Sequence, residues 1–208
     1  TGLGMKSANV ILTVSGGQAA LTLIIAAIVT IILGLGMPTP SAYILAAVLV
    51  GPALAKLGYP ILQSHMFLLY YAIMSALTPP IAVAALAAAA IADTDPFKIA
   101  FSAVRLAAIG FLMPFAFIWN PGLLLLGDFT TNTVALIGGL FATAAIAISI
   151  EGYIGVALSP VERIILVLAA IAAVLPSIPL AFAGIAVIIA MAVRYVVLLR
   201  KQDPVNLS

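Results

Sequence analysis

Between Gln18 and Ala92 the only ionisable side chains, tyrosines apart, are Lys56 and His65. A stretch so poor in charge has no hydrated face to present to water. It is also interrupted twice by a Thr-Pro pair, at Thr39-Pro40 and at Thr78-Pro79. Proline lacks the amide proton that a helix interior uses, and its ring clashes with the carbonyl one turn back, so a helix must break at each point. In hydrocarbon, backbone freed in this way is tolerated only where it is buried in protein or lines a cavity. The pattern predicts membrane-crossing helices with two breaks.

The rest of the chain agrees. Of the 208 residues, 65% are hydrophobic and 7% charged, whereas an average soluble domain is about 25% charged. This is the composition of an all-α integral membrane protein. Eight basic and six acidic residues give a net charge of +2, too sparse for the clustered basic face that nucleic-acid binding needs, so nucleic acid is excluded as a partner. Without cysteine there are no disulfides, thiolate metal sites or cysteine nucleophiles, and a single histidine, His65, cannot build a two-histidine metal or haem site. Intramembrane proteolysis needs paired aspartates, a Ser/His dyad or an H-E-x-x-H motif; no predicted span holds an aspartate and there is no second histidine, so an enzyme is not expected. Thr1 to Lys6 (TGLGMK) does not read as a signal peptide, and the chain is expected to be part of something longer.

About 20 apolar residues are needed to cross a bilayer. Six apolar blocks meet or approach this length: Gln18 to Leu35, Ser41 to Leu57, His65 to Ala92, Ile99 to Trp119, Thr133 to Ile150 and Val161 to Leu199. Pro176 and Pro179 divide the last into two passes. Asp95-Pro96 reads as an N-cap followed by a proline at the first helical position, Ser159-Pro160-Val161-Glu162 as a capping box, and Asn120-Pro121-Gly122 as a turn. Counting basic residues near span ends sets Lys98, Arg105, Arg163, Arg194, Arg200 and Lys201 on one side and Lys56 on the other. The richer side is predicted to be cytoplasmic, and the C-terminus with it. Gly138-Gly139 predicts a close helix contact.

The two breaks are the candidate site. Gly34 to Ser41 suits the tip of a re-entrant hairpin over residues 18–57, whereas Thr78-Pro79-Pro80 suits one crossing helix, residues 65–92, unwound at mid-depth. Each threonine is predicted to cap the half-helix that restarts. Carbonyls at Gly34, Gly36 and Met37 and oxygens at Ser75, Leu77 and Thr78 are suited to a cation, because broken helices present such groups in secondary transporters. Tyr43, just after the tip, is a candidate substrate contact, and His65 reads as an interfacial histidine. With no acid or histidine at either break, neutral oxygens favour Na⁺ over H⁺ as the coupling ion, H⁺ remaining possible. A structural or assembly subunit with dry, tightly packed breaks, or an inactive fragment, is the alternative.

The motifs LGLGMPTPSAY (Leu33 to Tyr43), Gly51-Pro52-Ala53-Leu54, His65-Met66-Phe67 with Tyr70-Tyr71, SALTPPI (Ser75 to Ile81), Ala92-Asp93 with Asp95-Pro96, and Phe115 to Asn120 with Pro121 occur in that order. Together they resemble the C-terminal part of the large permease subunit of tripartite ATP-independent periplasmic (TRAP) transporters, most closely the fused permeases that work with TAXI-type binding proteins. The resemblance covers residues 1–127, with a helix at 98–119; residues 128–208 are similar to additional C-terminal helices of some fused permeases. It implies half of an elevator-type transporter in the bacterial or archaeal inner membrane. A periplasmic substrate-binding protein would deliver a small organic anion, often a carboxylate, and the remaining part of the permease and the lipid bilayer would be further partners. It further implies a Na⁺ site at Gly34, Gly36, Met37, Thr39, Ser75 and Thr78, a substrate site at Pro38, Ser41, Tyr43, Pro79 and Pro80, and no cofactor other than the coupling ion.

Overall fold

The computed structural model describes residues 2–202, without the side chains of residues 200–202. Among the described residues every regular element is helical, and the chain divides into two compact units, Thr1–Ile118 and Trp119–Ser208.

The first unit opens with α1 (Leu3–Val14), a helix too short to stand out among the apolar blocks, and continues into α2 (Ala19–Gly34), α3 (Thr39–Leu49) and α4 (Gly51–Lys56). The hairpin expected over residues 18–57 is thus α2 turning into α3 and α4. Pro52 explains why the return arm is two helices, since it leaves the Val48 carbonyl without its helical amide. Gly4 of α1 packs directly on that carbonyl, and no side chain fits between them. The third block is broken as predicted: α5 (Ile61–Ser75) and α6 (Val83–Ala92) are separated by irregular backbone that includes a cis Pro79-Pro80 bond. Next come α7 (Pro96–Leu106), N-capped by Asp95 through the Lys98 amide at 3.0 Å, and α8 (Ala108–Trp119).

The core of this unit joins Leu23, Ala26 and Ala27 of α2, Ala46 and Leu54 of the return arm, and Phe67, Leu68 and Tyr71 of α5. Ala82, Ala85 and Ala100 form a separate small cluster between α6 and α7.

The second unit holds a short 3₁₀ turn (Pro121–Leu124), α9 (Phe129–Glu151), α10 (Pro160–Val174) and α11 (Ile178–Gln202). The Pro176/Pro179 division and the Ser159/Glu162 capping box are both present. Asn120 accepts from the Gly122 amide at 3.1 Å and donates to the Val174 carbonyl at 2.9 Å, fixing the turn to the end of α10. Arg163 donates to the Ser149 and Ile150 carbonyls at 2.6 and 2.7 Å, satisfying the end of α9, and Arg194 pairs with Glu162 at 2.8 Å. Pro96–Trp119, Phe129–Glu151 and Ile178–Leu199 are long and apolar enough to cross a membrane.

At the start of α9, Asp128 caps the Thr130 and Thr131 amides and takes the Thr131 hydroxyl, which holds its carboxyl below the usual carboxylate value. A depressed folded-state pKa places the stabilisation above the unfolded value, and it is lost as pH falls through the depressed one. Protection of the Thr130 and Thr131 amides, taken relative to the intrinsic exchange rate at each pH, is therefore expected to hold from neutral pH through the usual carboxylate range and to fall only below it, and Asp128→Asn should remove that step.

Candidate functional site at two helix breaks

The first break is a tight turn. The Met37 amide bonds back to the Gly34 carbonyl at 3.1 Å and Gly36 sits at φ +75°, in the left-handed region that glycine occupies without strain. Pro38 occupies the N-cap of α3 with no side-chain cap, and Thr39 and Pro40 are the first two helical residues, where a missing amide costs nothing. Thr39 is therefore not the cap that its sequence context suggested.

At the second break the Thr78 hydroxyl donates back to the Met74 carbonyl at 2.8 Å. It closes the end of α5 instead of starting α6. The restart begins after Ala82, at φ 42°, and the Ala84 amide reaches back to the Ala76 carbonyl at 3.1 Å. Ser75 likewise donates to the Ala72 carbonyl at 2.7 Å. With both protons engaged, the Ser75 and Thr78 oxygens have only lone pairs left to offer, which is the form a hard cation takes. Among the described residues no three His, Cys, Asp or Glu side chains cluster as a metal site.

The two breaks touch. Gly34, buried at the end of α2, lies so close to Ser75 and Ala42 that a Cβ placed on it would stand 2.9 Å from the Ser75 Cβ and 3.2 Å from the Ala42 Cβ. Gly36 abuts Ile81 in the same way, at 3.2 Å. Of the predicted residues, Gly34 and Gly36 are thus brought against the second break, at Ser75 and Ile81. Met37, Thr39, Thr78 and Pro79 are half-buried, and Pro38, Ser41 and Pro80 are exposed. Tyr43 instead meets His65, its hydroxyl 2.7 Å from Nδ1.

Three neighbours of the site have partners that the sequence does not disclose. Gln63 donates to the Phe117 carbonyl at 2.9 Å and Tyr71 to the Phe111 carbonyl at 2.5 Å, so α5 holds α8 by two side-chain bonds to backbone. His65 is the third. Phe67 against Phe115 and Tyr70 against Phe117, both edge-on, complete the contact between α5 and α8. The polar run Gln63-Ser64-His65 at the start of an apolar helix was the available signal.

The sequence profile described as "Tripartite ATP-independent periplasmic transporter, DctM component" matches residues 1–131, more than half of the chain and all of both breaks. The chain belongs to the DctM family. It is thus a multi-pass integral membrane protein and the permease component of a TRAP transporter, a family of transporter components and not of enzymes. No curated protein and no solved structure matches the chain significantly. The DctM match takes in all of α1 to α8 and ends just inside α9, leaving most of the second unit outside it.

Proposed function

We propose that this permease lies in the inner membrane and takes up small organic anions, carboxylates above all, by secondary active transport coupled to Na⁺, receiving them from a periplasmic substrate-binding protein. The C-terminus is assigned to the cytoplasm, and the chain to the C-terminal portion of a fused, TAXI-associated permease. The observation that carries the reading is the meeting of the hairpin tip with the broken helix at Gly34 and Ser75, between half-helices whose site carries neutral oxygens only. The ion is assigned to the Gly34, Gly36 and Met37 carbonyls with the Thr39, Ser75 and Thr78 oxygens. The anion is assigned to the half-helix starts and the surface of Pro38, Ser41, Tyr43, Pro79 and Pro80, since helix N-termini favour negative charge.

The test is uptake of radiolabelled carboxylates by the full-length permease, reconstituted with its binding protein and a Na⁺ gradient. Thr39→Ala and Thr78→Ala each remove one oxygen ligand, and a loss of about 1.4 kcal/mol would raise the Na⁺ concentration for half-maximal uptake about tenfold. Uptake indifferent to both substitutions and to external Na⁺ would overturn the assignment of the ion site.

A further inference from the structure

Tyr43 of α3 and His65 of α5 bridge the two arms that carry the two breaks. Their atoms Oη and Nδ1 lie 2.7 Å apart, and the rings meet edge-on at 67° with centroids 5.9 Å apart. Tyr43 follows Thr39 by one helical turn, so both residues stand on one face of α3.

Among the described residues His65 makes no ion pair. Helix α2 carries no titratable side chain, α3 offers only Tyr43, and α8 offers none. Helix α4 ends in Lys56, whose Nζ is spent on the Asn9 amide oxygen at 2.6 Å, and the link to α5 adds Tyr59. On α5 itself Tyr70 stacks on Phe117 and Tyr71 donates to the Phe111 carbonyl. The first acidic residue along the chain is Asp93, beyond α6.

A neutral imidazole has one donor and one acceptor nitrogen, whereas an imidazolium has two donors. When the neutral ring carries its proton on Nε2, the tautomer this inference requires, Nδ1 accepts from Tyr43, whose oxygen can then offer lone pairs but no hydrogen. A proton added at Nδ1 reverses the bond: Nδ1 donates to Oη, and the phenol O–H is released beside a positive charge. An anion is repelled by the first arrangement and bound by the second. We propose that His65 is the positioning residue of Tyr43 and makes carboxylate binding at the hairpin tip strengthen as pH falls, histidine being the side chain that changes charge between pH 5 and 8. This inference rests on Tyr43 being a substrate contact.

¹⁵N-histidine labelling of the full-length permease, purified without a histidine tag, with the His65 signals assigned by their loss in His65→Asn, gives the imidazole to follow. Tyr43→Phe is expected to shift the Nδ1 resonance. 2-Oxoglutarate, ionised at both pH 6 and pH 8, serves as the probe, and its apparent affinity is expected to be about tenfold tighter at the lower pH. His65→Asn, which puts an amide where Nδ1 stood but cannot titrate, should bind with less than about twofold difference between the two pH values, as should Tyr43→Phe. An Nδ1 resonance indifferent to Tyr43→Phe, or a pH effect that survives His65→Asn, overturns the inference. Uptake in the same preparation separates the two failures, since Na⁺-driven uptake that ignores Tyr43→Phe refutes the positioning role and leaves the transport reading standing.

Discussion

Gly34→Ala is expected to destabilise the first unit, although alanine is the better helix former by about 1 kcal/mol. The new methyl would stand 2.9 Å from the Ser75 Cβ and 3.2 Å from the Ala42 Cβ. The nearest obstacle of all, the Ser75 Oγ, can rotate aside, but the two Cβ atoms cannot, so the helices themselves must part. Forcing an extra carbon into packed structure costs about 1–3 kcal/mol, which outweighs the gain in propensity. The separation falls where α2, α3 and α5 meet, so the junction of the two breaks should open while the α6–α7 cluster is undisturbed. Thermal unfolding in detergent should show a lowered midpoint for Gly34→Ala. Ser75→Gly in the same chain should restore most of it, and Ser75→Ala, which removes the Oγ but keeps the Cβ, should restore less. A midpoint unchanged by Gly34→Ala would mean that the two breaks are not in contact at this glycine.

The specificity of that rescue is tertiary information, and it marks where the sequence stopped being legible. The breaks themselves were plain, because Thr-Pro inside apolar sequence leaves a helix no alternative. So were the starts of α7 and α10, where Asp95-Pro96 and the Ser159/Glu162 pair act within four residues of each other. The roles of Thr39 and Thr78 were not, since a threonine hydroxyl can serve the helix ahead or bond to the carbonyl behind, and only the path of the chain decides. Thr78 bonds behind, to Met74. Nor could spacing pair Tyr43 with His65, or Gln63 with the Phe117 carbonyl, because these partners lie on different helices whose crossing sets the distance. The first helix was passed over for a related reason: Leu3–Val14 is too short to span, and its place is earned by the approach of Gly4 to the Val48 carbonyl.

The largest loss is expected in the second unit, at Gly138→Ala and Gly184→Ala. In a membrane the apolar surface of a helix gains nothing by leaving lipid, so association depends on close packing between backbones. Here α10 is approached from two sides over the same stretch. Gly138 of α9 lies directly on the Ala173 carbonyl, and a Cβ on Gly184 of α11 would stand 2.5 Å from the Ala169 carbonyl oxygen and 2.6 Å from the Ala173 amide nitrogen. At Gly34 the obstacle is a side chain and can be trimmed; at these two glycines it is backbone and cannot. Each substitution should therefore cost about 3 kcal/mol, the upper end of the overpacking range and well above the propensity gain. Ala173→Gly should not rescue Gly138→Ala, because the carbonyl stays where it was. Hydrogen exchange locates the damage: amides of α9, α10 and α11 should exchange faster, while those of α2 and α5 keep their wild-type rates. Faster exchange in both units would show that the second unit does not fold as a separate body, and unchanged exchange in α10 would refute the close approach on which its packing rests.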